Sequence, residues 1–300
     1  MIPLIQTQWS DEARVRHSMA FTLIELLVVI SVIALLIAIA MPALAKVRSQ
    51  ARGLVCQSSL RQWGMTFNLY TTENEDSLPG GFMSILWLLR GGRPSSIDPN
   101  AEGRRYHHFD TQGIAYCPSA KKPGEFGSFL ASTSTMSHDG SISTVQISGS
   151  FGRTFNAWTI TDPMPEFRGS YGYNDWLSRG FKESSRPNPW AKTSLLALKK
   201  LNNIPLLVDS MSPWSQPRDS VEPPLTEGRI GRSSLGAFCI NRHSAHVNAL
   251  FLDWSVRRVG LKELWTLKWY KDWDTANPWT QAGGVRPEDW PEWMRRFKDY

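Results

Sequence analysis

Residues 21–45 read FTLIELLVVISVIALLIAIAMPALA, an apolar run that carries a single charge, Glu25. This segment limits the possible folds more than any other. As a helix it reaches about 38 Å at about 1.5 Å per residue, enough to cross a hydrocarbon layer about 30 Å thick with some tilt. A charged side chain costs about 2.5–3.5 kcal/mol at the bilayer centre and less toward its edge. Glu25 lies near the N-terminal end of the run. An acid in such a place is a functional candidate. Its plain alternative is a glutamate that snorkels to the headgroups from an ordinary anchor.

The flanking residues carry a family signal. Ala20-Phe21-Thr22-Leu23-Ile24-Glu25 resembles the prepilin processing site of type IV pilins and type II secretion pseudopilins. The resemblance implies cleavage by the prepilin peptidase between Ala20 and Phe21, followed by N-methylation of Phe21. Ala20 stands where that family usually has glycine. Glu25 and Pro42 fall where it expects a glutamate and often has a proline. In a filament, Glu25 of one subunit is expected to meet the Phe21 amine of a neighbour. Either charge buried alone costs several kcal/mol, so the pairing sets axial register more than it adds stability.

A secretory signal peptide is the competing reading. Ala43-Leu44-Ala45 is an A-x-A site, and Arg14 and Arg16 would form the n-region. Yet the apolar run exceeds an h-region of about 7–15 residues, and Glu25 interrupts it. Charge leaves orientation open: Arg14 and Arg16 precede the span, and Lys46, Arg48 and Arg52 follow it. The processing-site resemblance places the leader in the cytoplasm and the head outside.

The formal charge of +6 is unchanged once residues 1–20 are removed. The basic residues are dispersed, without the stripe of a nucleic-acid binder, so no nucleic-acid partner is expected. Lys46, Arg48 and Arg52 suit anionic headgroups. Cys56, Cys117 and Cys239 show no metal spacing. A Cys56–Cys117 disulfide would tie the helix to the head. The other two pairings, and three reduced buried thiols, stay open.

The organisation expected is a leader at 1–20, a transmembrane helix at 21–45, an amphipathic continuation at 46–72 and a globular head at 73–300. Leu44, Val47, Ala51, Leu54, Val55, Leu60, Trp63, Phe67 and Tyr70 recur at helical spacing. Pro79-Gly80-Gly81 then forces a turn. Residues 85–89 suit a short helix, and 143–147, 204–209 and 247–253 suit strands, with 256–259 returning as a hairpin partner. The fold class predicted is α+β and pilin-like, a mainly antiparallel sheet packed on the helix stripe.

Further stretches resemble the planctomycete-type prepilin processing-associated H-X9-DG proteins. They are Cys56 with Leu60-Arg61-Gln62 and Tyr70, Tyr116-Cys117-Pro118, Ser170-Tyr171-Gly172-Tyr173-Asn174 and Pro205-Leu206-Leu207-Val208-Asp209-Ser210. Arg242-His243, nine residues and Asp253 resemble the naming motif, with Trp254 where glycine is usual. A turn different from the family's is expected there.

His243, His246 and Asp253 are competent Zn²⁺ ligand types. Their spacing is unlike a known zinc motif, so the expectation is structural: His243 hydrogen-bonds Asp253 and pins a loop, with no metal or cofactor. His107-His108 reads as a loop pair. Half of the 14 tryptophans fall in a C-terminal tail from residue 254. Trp265, Trp269 and Trp273, with Leu261 and Leu264, would form one face of a helix covering the sheet, while Trp279, Trp290 and Trp293 would be partly exposed. The sharper alternative is an aromatic platform for a sugar or a partner subunit.

No catalytic motif is present, and no enzyme is expected. The function expected is a pilin-like or pseudopilin subunit of a type IV pilus or type II secretion system, single-pass in the cytoplasmic (inner) membrane. Its partners would be the prepilin peptidase, other pilin or pseudopilin subunits, and membrane lipid. The alternative is a tethered or secreted glycan- or protein-binding domain, or a hydrolase.

Overall fold

The computed structural model describes residues 22–74, 76–78, 113–124, 126–136, 142–162, 166–177, 182–183, 186–187, 198–228 and 235–300. The leader, the Ala20–Phe21 bond, the expected helix at 85–89 and His107-His108 lie outside them. Two compact units divide between Arg48 and Ser49.

Helix α1 spans Leu23–Glu73, 51 residues with Pro42 inside. Leucine, isoleucine, alanine and valine fill its first half, and Pro42 removes the N–H that would bond the Ala38 carbonyl. In the first unit every described residue is exposed, Leu23 by 86% and Leu35 by 66%. This part of α1 is long and apolar enough to cross a membrane, and none of its most apolar window is buried.

In the second unit the helix is amphipathic, but its buried stripe starts later than its periodicity predicts. Leu54 and Val55 remain exposed, and burial begins at Cys56. Cys56, Ser59, Leu60, Trp63, Gly64, Phe67 and Thr71 form the covered face. Burying Leu60 and Phe67 contributes about 1.5–3 kcal/mol each. Gly64 brings the helix close to the sheet, since a Cβ there would stand 3.0 Å from Leu250 Cδ1.

The described strands form two five-stranded sheets and one two-stranded ladder, where one sheet was expected. The first runs β1 (Lys122–Pro123), β4 (Asn156–Asp162), β3 (Ile142–Phe151), β2 (Phe126–Met136), with β5 (Phe167–Gly169) also on β4. The second runs β10 (Trp214–Ser215), β6 (Tyr171–Asn174), β9 (Pro205–Asp209), β11 (His246–Phe251), β12 (Val256–Gly260). A small ladder joins β7 (Lys182–Glu183) and β8 (Arg186–Pro187). Only β1–β4 and β10–β6 are parallel among the described pairs. The class is therefore α+β with mixed sheets.

The second sheet is covered on both faces. Side chains alternate along a strand, so Leu250 and Leu252 join the core beneath α1, while Val247, Ala249 and Phe251 join a core with the C-terminal tail. The expected hairpin forms, with Val247 opposite Val259 and Leu250 opposite Val256. Trp254 takes φ +66°, the left-handed conformation that glycine favours. The turn is thus made by tryptophan in a conformation that favours glycine. Asp253 Oδ1 holds it by accepting from the Ser255 N–H and hydroxyl at 3.0 and 2.6 Å.

The tail forms no long helix. A 3-10 turn covers Lys262–Thr266, and Leu267 breaks away in extended conformation at ψ 153°. After residue 267 the only α-helical turn among the described residues is α2, Glu292–Arg295. Trp265, Trp269 and Trp273 are nonetheless buried against the sheet. Each indole N–H finds a backbone carbonyl, on Val221, Leu264 and Trp265. Trp290 is buried as well, contrary to expectation, and Trp279 and Trp293 are half-buried.

Candidate functional site

Two arrangements carry chemistry. The first is the start of α1. Thr22 Oγ1 accepts the Glu25 N–H at 3.2 Å, and Glu25 Oε2 accepts the Thr22 N–H at 2.9 Å and its hydroxyl at 2.8 Å. This is a capping box: two otherwise unpaired helix-end donors are satisfied reciprocally. The Thr-x-x-Glu spacing is plain in the sequence, yet membrane cost and family position alone do not disclose it. Glu25 is thus exposed and locally tied to Thr22.

The second is a buried polar cluster under α1. Four distant segments build it. Cys56 comes from the covered face of the helix, Cys117 from the loop before β1, Asp209 from the end of β9, and His243 from the turn before β11. None of these side chains is more than 6% exposed. Their ligand-capable atoms all lie within 4.8 Å of one another. Cys117 Sγ is 3.3 Å from His243 Nε2, which is 3.2 Å from Asp209 Oδ2. Cys56 Sγ is 3.6 and 3.7 Å from the two Asp209 oxygens, and the Tyr171 hydroxyl donates to Cys56 Sγ at 3.3 Å.

Backbone geometry aims these groups. Ser244 and Ala245 both take positive φ, 54° and 73°, a sparsely populated conformation for residues with a Cβ. The Asn241 side chain holds the bend by accepting the Ala245 N–H at 2.6 Å. Arg242 and His243 consequently point inward. Arg242 Nη1 bonds Asp209 Oδ1 at 3.0 Å, with both side chains fully buried. Its remaining N–H groups donate to the carbonyls of Thr154, Ser170, Arg153 and Ser210.

Burial drives the Asp209 carboxyl upward. The neighbouring His243 charge and hydrogen bond, the Arg242 guanidinium and the Asn248 amide outweigh it and hold Asp209 at about 2. Burial lowers His243, but the Asp209 charge and the bonds to Asp209 and Cys117 lift it to about 9. Burial raises Cys117. The Cys56 hydrogen bond, opposed by the Asp209 charge, combines with His243 and Arg242 to bring Cys117 down to about 6. Burial, first among several causes, pushes Cys56 well above the ordinary thiol range.

The sequence expectation for this region needs correction. His243 pairs with Asp209, not with Asp253, which is exposed and serves the hairpin turn. His246 points elsewhere, its Nδ1 2.9 Å from the Ser244 carbonyl and 3.1 Å from Arg258 Nη2. Cys56 and Cys117 are brought together as the disulfide expectation required, but as free thiols; Cys239 is also free. Cysteine, histidine and aspartate do not form a nucleophile–base–orienter relay, because thiol and carboxylate address the same imidazole nitrogen. By chemistry the four side chains can hold a metal.

Asp209 is the residue that sequence reasoning underweighted. It closes the otherwise apolar strand PLLVD, and a charge buried there requires partners. No protein-family model, curated protein or solved structure matches the chain.

Proposed function

We propose that the chain is a type IV pilin-like or pseudopilin subunit. It is inserted in the cytoplasmic membrane by α1, trimmed by the prepilin peptidase after Ala20, methylated on Phe21, and associated with a pilus or pseudopilus with its head outside. One observation carries the reading: the apolar part of α1, headed by Glu25, is exposed throughout, while the same helix from Cys56 onward is core of the head. An apolar surface of this extent needs lipid or a protein bundle. A filament supplies the bundle after the membrane supplies the lipid. The peptidase, the neighbouring subunits and the lipid are the partners of this reading, and the order Ala20-Phe21, Glu25, Pro42 supports it.

Mass spectrometry of the native N-terminus tests it. The expected chain begins at N-methylated Phe21. A chain beginning at Met1, or at Lys46 after signal-peptide cleavage, contradicts it.

A further inference from the structure

We propose that Cys56, Cys117, Asp209 and His243 form a structural Zn²⁺ site that fastens α1 to the head. The donor set is two sulfurs, one imidazole nitrogen and one carboxylate oxygen, which suits Zn²⁺ over the harder Mg²⁺ and Ca²⁺. A tetrahedral Zn²⁺ with Zn–S of about 2.3 Å and Zn–N or Zn–O of about 2.0–2.1 Å has ligand-to-ligand edges of about 3.3–3.8 Å. Three of the six separations run close to this, and the others lie within 4.8 Å. Those three are 3.3 Å for Cys117 Sγ to His243 Nε2, 3.2 Å for His243 Nε2 to Asp209 Oδ2, and 3.6–3.7 Å for Cys56 Sγ to Asp209.

Hydrogen bonding alone serves the cluster poorly. His243 Nε2 faces a sulfur and a carboxylate oxygen at once, and its one hydrogen cannot be well aligned with both. Cys56 has one S–H facing two carboxylate oxygens. A cation central to the four resolves both conflicts. The outer groups are also in place. Arg242 bonds Asp209 Oδ1, the Asn248 N–H bonds Asp209 Oδ2 at 2.8 Å, and the Tyr171 hydroxyl bonds Cys56. Such contacts orient metal ligands.

Charge balances as well. As ligands, Cys56 and Cys117 are thiolates, Asp209 is a carboxylate and His243 is neutral. Their three negative charges are matched by Zn²⁺ and the buried Arg242 guanidinium, so the buried sum is zero. All four coordination positions are filled by protein and closed to solvent, the mark of a structural site. The site goes beyond the pilin-like reading and stands or falls independently of it.

The test uses the full, untagged chain, extracted in detergent without chelators. Elemental analysis is expected to find about one Zn²⁺ per chain. Cys56→Ser, Cys117→Ser and His243→Gln should each drop below about one tenth of that, while Cys239→Ser, a buried thiol outside the cluster, keeps its metal. A second measurement needs no variant: the reduced wild-type chain, stripped and given Co²⁺, should show thiolate-to-cobalt charge transfer and tetrahedral ligand-field bands. Zinc that persists in Cys117→Ser overturns the site. So does a wild-type chain that gives no thiolate-bound cobalt spectrum, whether its Cys56 and Cys117 are then found reduced or joined as a disulfide.

Discussion

Arg242 has five N–H donors, and the structure uses all of them on Asp209 and four backbone carbonyls. Those carbonyls lie in the β3–β4, β5–β6 and β9–β10 connections, so one guanidinium holds the head's polar centre. Arg242→Ala leaves Asp209 and the carbonyls buried without it, and is expected to cost about 3–5 kcal/mol. Arg242→Lys should recover only part, because a compact ammonium offers three donors from one point. Denaturant unfolding followed by tryptophan fluorescence reads both. The Tyr173 hydroxyl shows the opposite case: it is buried with no hydrogen-bond partner among the described residues. Removing an unsatisfied group relieves its desolvation cost, so Tyr173→Phe should stabilise the head by about 1 kcal/mol in the same assay.

At the scale of elements, close approach decides what the strands tolerate. A Cβ on Gly172 in β6 would stand 2.6 Å from Ser210 Cβ and Oγ and from the Ser212 carbonyl. Gly172→Ala should therefore destabilise by about 1–3 kcal/mol, read as a lowered unfolding midpoint. Strands β9, β11 and β12 were legible because short apolar runs end in turn-forming residues, and their observed bounds lie close to those expected. The Trp265/Trp269/Trp273 spacing pointed to the right burial and the wrong element. Helical period and a 3-10 turn followed by extended chain can both bury every fourth residue, and Leu267 settles the matter by its extended backbone. The head first meets α1 at Gly53, whose carbonyl accepts from the Asn248 side chain of β11, and full burial follows from Cys56. Periodicity records which face is apolar, not where along the helix the cover begins.

For the whole molecule, the sequence disclosed the membrane-length helix and the class of the head, but not the convergence of Cys56, Cys117, Asp209 and His243. Each comes from a different segment, and only the folding of β9 and β11 beneath α1 brings them together. Asp253 is the nearer acid to His243 in sequence, but Asp209 is the one that pairs with it. The exposed apolar length of α1 and the capping box at its start bear on assembly in the same way. Glutamine also serves in a capping box, so Glu25→Gln keeps the helix start and removes only the charge. If Glu25 pairs with the Phe21 amine of a neighbour, losing one partner of that buried pair costs roughly 3–5 kcal/mol per association step. Insertion persists, since the substituted group is less costly in lipid. The decisive measurement is co-assembly of tagged Glu25→Gln with wild-type subunits, followed by shear release and crosslinking. The account predicts a processed, membrane-held subunit absent from the sheared filament fraction, beside tagged wild type that enters it. Equal incorporation of the Gln variant would contradict the account.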